Sequence, residues 1–89
     1  MGYAFISYST KNQASADAIR ELFNKNNIDT WMAPYDIPAG SKYAATITKA
    51  IRDCSCFVLL LSSDSQKSEA VDSEVELAAL TFKKSIITV

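Results

Sequence analysis

An α/β fold built on a central parallel sheet is the class this sequence predicts, on two observations. Four short runs rich in aromatic and β-branched residues alternate with segments whose apolar residues recur at helical spacing. The runs 3–8 and 55–61 are apolar almost throughout, as strands covered on both faces should be. Right-handed crossovers then favour a three-layer sandwich of flavodoxin-like strand order 2-1-3-4, with the first strand central and the second at one edge. In such sheets ligands bind beyond the carboxyl ends of the strands.

Each element has a local reason. Residues 3–8 are a strand, and Ser9 and Thr10 after it can cap a helix that runs to about Asn26. Ala18, Ile19, Leu22 and Phe23 form that helix's apolar stripe, and Asn26-Asn27 is its stop. Residues 28–32 are a short second strand. Two prolines and a glycine then forbid regular structure over 33–40. Ile37, between an acid and a proline, reads equally as a docking residue or as one tucked into the core. Ser41 is positioned to cap the next helix, whose stripe is Tyr43 or Ala44, Ile47, Ala50 and Ile51. Residues 55–61 are the central strand, ending in a polar turn, Ser62 to Ser65. A third helix follows, with Lys83 and Lys84 near its carboxyl end, where cations suit the dipole. Residues 85–89 form a fourth strand.

Composition excludes several functions. The chain has 89 residues, enough for one small domain, and a net charge of −1 with no basic patch to hold nucleic acid. No apolar run approaches the length of a membrane span, and no secretory signal is visible. The chain has no histidine, which removes Ser-His-Asp and Cys-His catalysis and most zinc sites. No metal is expected. Cys54 and Cys56 are the two cysteines; on an extended segment they would point the same way, so reduced thiols in a cytoplasmic protein are expected.

The third helix carries the main candidate. At about 100° per residue, Val71, Val75, Ala78 and Phe82 share one stripe, while Glu69 and Glu76 face water. Glu74 lies on the shoulder, where a carboxylate is partly desolvated and can still reach a ligand. The plain alternative is a glutamate that serves the helix dipole or a cap. Leu77 and Leu80 fall away from the stripe and fit a face for a further element or a neighbouring subunit.

Phe5-Ile6-Ser7-Tyr8-Ser9, then Trp31-Met32-Ala33-Pro34-Tyr35-Asp36-Ile37-Pro38-Ala39-Gly40-Ser41, then Phe57 to Ser62, then Ser68 to Ala78, resemble a Toll/interleukin-1 receptor (TIR) domain of the bacterial type. The matches cover essentially the whole chain in the family's order. The resemblance implies a self-association loop after the second strand, here including Ile37, Pro38, Ala39 and Gly40. It also implies cleavage of NAD+ at the nicotinamide–ribose bond. By the pattern Ser-x-x-Val-x-x-Glu, the residue that carries this is Glu74 and not Glu76. This chain departs in having Ala70 where many relatives carry an aromatic, and Tyr35 where many bacterial relatives carry arginine. Family members continue for another helix and a fifth strand, so residues 1–89 are expected to be a C-terminally incomplete TIR domain.

One carboxylate suffices for such chemistry. Nicotinamide leaves a cationic molecule as a neutral one, so no general acid is needed. A negative charge by the ribose stabilises the developing oxocarbenium ion. Tyr8 and Trp31 can stack on rings, although aromatics at such positions are more often core residues. Ser9, Thr10 and backbone N–H groups can hold phosphate. With Asp36 and Tyr43 these are the candidate substrate contacts. NAD+ is then a substrate and no cofactor is required. The expected partners are other TIR domains, bound head to tail, and a fused sensor domain outside these residues. Defence or immune-type signalling is the implied role. A non-enzymatic interaction module using the same loop is the alternative. A phospho-acceptor receiver needs acids where this chain has Tyr8-Ser9 and Ser62-Ser63.

Overall fold

The computed structural model describes residues 2–89. Its parallel sheet has the order β2-β1-β3-β4, formed by β1 (Ala4–Ser7), β2 (Thr30–Trp31), β3 (Cys56–Leu59) and β4 (Ile86–Thr88). This is the flavodoxin-like arrangement expected. In register, Phe5 pairs with Trp31 on one side and with Phe57 on the other, and Phe57 pairs with Ile86. Side chains alternate across a strand, so one sheet makes two cores. Ala4, Ile6, Met32 and Val58 pack with Ala16 of α1 (Gln13–Lys25). On the other face Phe5 and Phe57 pack with Ala50 and Ile51 of α2 (Tyr43–Asp53), and with Ala78 beyond α4 (Glu69–Glu76).

Several local expectations are corrected. The stripe of α1 is rotated: Ala16 is buried, with Ile19 and Phe23 packed beside it, while Ala18 and Leu22 are exposed. A 3-10 turn, Thr10–Asn12, precedes α1, and Ser9 caps that turn rather than the helix by accepting from the Lys11 N–H. The turn delays entry into α1 and changes which face meets the sheet. Asn27 ends this segment in the left-handed region at φ 62°, as asparagine tolerates. Ser41 makes no cap. The residue before α2 is Lys42, without a side-chain cap bond.

The polar segment after β3 is a one-turn helix, α3 (Ser63–Gln66), closed by a reciprocal Ser62–Ser65 capping box. Ser68 then caps α4, its hydroxyl accepting from the Val71 N–H. From Leu77 to Thr81 the helix widens into a π turn. Leu77, at the start of this turn, is partly buried against the core that holds Phe57 and Ala78, while Leu80 is 73% exposed. Lys84 turns from the dipole it was assigned to, its ammonium donating to the Cys54 carbonyl at 2.8 Å. Cys54 and Cys56 are free thiols on opposite faces of the sheet, because Cys54 still belongs to the end of α2. Among the described residues no helix is long and apolar enough to cross a membrane.

Candidate active site

At the carboxyl end of β1 a cleft of about 350 Å³ opens between the 3-10 turn, the loop after β2, α2 and α4. Phe5, Ile6, Ile47 and Ala70 give it apolar walls, and among the described residues Glu74 is the only charged one that lines it. A smaller hollow of about 210 Å³, between α2 and α4, shares Ile47, Ala70 and Glu74. Glu74 therefore lines both hollows.

Burial largely strips Glu74 of water and raises its pKa from 4.5 to about 7, against the lowering effect of a hydrogen bond from Ser7. That bond runs from the Ser7 hydroxyl to Oε1 at 2.7 Å. Val71 and Ala78 are buried on either side of Glu74 along the helix, so packing sets its position on the shoulder. Ser7 is the site residue that sequence reasoning missed. Its signal was the alternation of β1: Ser7 shares a face with Phe5 and is the polar residue on that buried face.

The other candidates divide. Tyr8, Thr10 and Tyr43 line the cleft with Glu74. The Tyr8 hydroxyl lies 2.5 Å from the Ala33 carbonyl and 3.3 Å from Gln13 Oε1, tying the loop to the end of β1. Burial raises its pKa, with the Gln13 bond opposing. Tyr43 is 59% exposed, at the mouth. Ser9, Trp31 and Asp36 do not line the cleft. Ser9 is buried as a cap. Trp31 is stacked on Phe5 with centroids 5.1 Å apart, because the parallel register puts both rings on one face. Asp36 accepts from the Met32 N–H at 2.9 Å, which folds its loop back on itself.

That loop is also tied to α1. The Tyr35 hydroxyl meets Gln13 Nε2 at 3.0 Å and Asp17 at 3.4 Å, and the Arg20 guanidinium lies 4.9 Å from the Tyr35 ring centre. Ile37 is half-buried, while Pro38, Ala39 and Gly40 are exposed. Gly40 has φ +80°, a conformation that favours glycine.

A 2-1-3-4 parallel sheet with a glutamate lining a cleft at its strand ends defines a small flavodoxin-like domain with a candidate ligand site. The chain belongs to the TIR domain family, whose model matches residues 4–89. No curated protein matches it. Among solved structures it is similar to the TIR domain of the Toll-related receptor TRR-2 from Hydra magnipapillata, with TM-score 0.86 and 18% identity over 99% of this chain and 69% of that one. It is also similar to the TIR domains of the activated Roq1 resistosome that directly recognizes the pathogen effector XopQ. There the TM-score is 0.87 and the identity 15%, over 99% of this chain and 56% of that one. At these identities the likeness is one of fold.

Proposed function

We propose that this TIR domain is an NAD+ nucleohydrolase or cyclase that works when assembled, in cytoplasmic defence-type signalling. The observation that carries the reading is Glu74, a desolvated carboxylate at the wall of an otherwise uncharged cleft. The N-glycosidic bond breaks with its electron pair on nicotinamide, which departs neutral. The positive charge moves to the ribose C1 carbon, within reach of the carboxylate. Capture by water gives ADP-ribose and a proton; capture by a nucleophile of the same molecule gives a cyclic product.

A pKa near 7 suits a cationic substrate. The positive nicotinamide ring favours the ionised carboxylate, so binding completes the deprotonation that burial opposes. The expected result is a kcat/KM for nicotinamide release that rises with pH through about 7. The limb in kcat should lie at lower pH, because the bound cation lowers the pKa. Assaying nicotinamide release from pH 5 to 9, with the chain free and clustered, tests both. A flat profile would count against the ionised Glu74 as the working group, and no release from the clustered full-length protein would favour the non-enzymatic module. Ala70 in the cleft wall, where many relatives have an aromatic, is the feature that favours that second reading.

Assembly is assigned to the loop after β2. Pro38 stiffens the segment, so little entropy is lost on docking. A head-to-tail contact between this loop and a different surface of the next copy builds open filaments or rings. Ile37→Asp is expected to reduce assembly and NAD+ cleavage together with little change in melting temperature. Sedimentation, the assay and thermal melts on one preparation decide this. A large fall in Tm would place Ile37 in the core, and unchanged assembly would remove it from the contact.

A further inference from the structure

We infer that Ser7 is a positioning residue for Glu74: its hydroxyl fixes Oε1 and leaves Oε2 as the oxygen that meets a ligand in the cleft. The inference rests on the reading of Glu74 as the reacting carboxylate.

Ser7 is 1% exposed, on a strand whose other residues are Ala4, Phe5 and Ile6. A buried hydroxyl costs stability unless it is bonded, and an apolar residue would fill this site more simply. Its one proton goes to Glu74 Oε1 at 2.7 Å, across 67 residues of sequence. Among the described residues Glu74 accepts no other side-chain hydrogen bond and forms no ion pair. The serine is thus the one polar contact holding a carboxylate that carries three rotatable side-chain bonds.

The surroundings make that contact decisive. The polar and titratable side chains that share its hollows are Tyr8 at the end of β1, Tyr43 of α2, Thr10 of the 3-10 turn, Gln13 of α1 and Ser73 of α4 itself. Among the described residues no lysine, arginine or second acid lines either hollow. With no cation lining either hollow, the Ser7 hydroxyl is the one group bonded to the Glu74 carboxylate among the described residues.

The test uses the full chain as wild type, Ser7→Ala and Ser7→Thr. The Glu74 side-chain carboxyl is titrated by carbon NMR without substrate, and nicotinamide release is followed from pH 5 to 9. Removing the hydroxyl should raise the Glu74 midpoint by about one unit. The kcat/KM of Ser7→Ala should then fall about fivefold at pH 7 and recover by about pH 9, because ionised Glu74 in the free enzyme drops from about a half to a tenth. Ser7→Thr keeps the hydroxyl and should return midpoint and profile toward wild type. A midpoint that stays put or falls in folded Ser7→Ala overturns the inference, as does a Ser7→Thr midpoint equal to that of Ser7→Ala. If no variant releases nicotinamide, the NAD+ reading fails, while the NMR midpoints still decide the role of Ser7.

Discussion

Glu74→Gln is expected to abolish nicotinamide release, by at least about 100-fold, while the domain stays folded. The amide matches the carboxylate in shape, and its oxygen can still accept from Ser7. What is lost is the negative charge, which does the work beside a developing ribose cation in a cleft with no other charged wall. Glu76→Gln is the control, on the same helix but exposed. It should keep nearly full activity. Equal losses in the two variants, or an active Glu74→Gln, would remove the assignment.

The same substitution has an opposite effect on stability, and its sign follows from the pKa. Glu74 titrates at about 7 when folded and near its ordinary 4.5 when unfolded. Below 4.5 both states hold the proton and the difference vanishes. Between 4.5 and 7 the folded state holds a proton that the unfolded state has released, so stability falls as pH rises. Above 7 the loss is complete, about 2–3 kcal/mol once partial exposure is allowed for. Glutamine carries no such cost. Glu74→Gln should therefore exceed the wild type by about that amount at pH 8 and match it near pH 4. Urea denaturation at the two pH values checks this.

The fold was legible because the strands announce themselves. Phe5, Ile6, Phe57 and Val58 are nearly continuous apolar runs, and crossover handedness orders them. Glu74 was legible from its offset to Val71 and Ala78. What stayed hidden depends on contacts distant in sequence. Ser7 becomes a site residue only because β1 brings it beneath α4. Trp31 offers an aromatic surface in sequence, but the register beside Phe5 commits it to the core. Leu77 looks outward on an ideal helix, and only its packing against the core beside Phe57 and Ala78 shows it partly buried. The α1 stripe shifted for a related reason, since Ala18 and Leu22 satisfy the helical period as well as Ala16 and Ile19 do. The 3-10 turn chose between them.

Phe5→Ala should cause the largest loss of stability, about 3–5 kcal/mol. Phe5 is the middle ring of a ladder across three strands, with centroids 5.1 Å from Trp31 and 5.4 Å from Phe57. The rings are within 10° of parallel, and Phe5 is 1% exposed. Truncation removes both stacks and leaves a cavity that β1 cannot close, because it is paired on both sides. A domain of this size has about 5–10 kcal/mol in total, so roughly a third or more of its stability is at stake. Phe5 also walls the cleft, and cleavage should fall with the folded fraction. Phe5→Leu keeps most of the volume and should cost about 1–2 kcal/mol. Leu80→Ala, at a residue 73% exposed, should cost less than about 0.5 kcal/mol. Urea midpoints for the three variants rank them. If Phe5→Ala lost no more than Leu80→Ala, the ladder would not be what holds the sheet beneath the site.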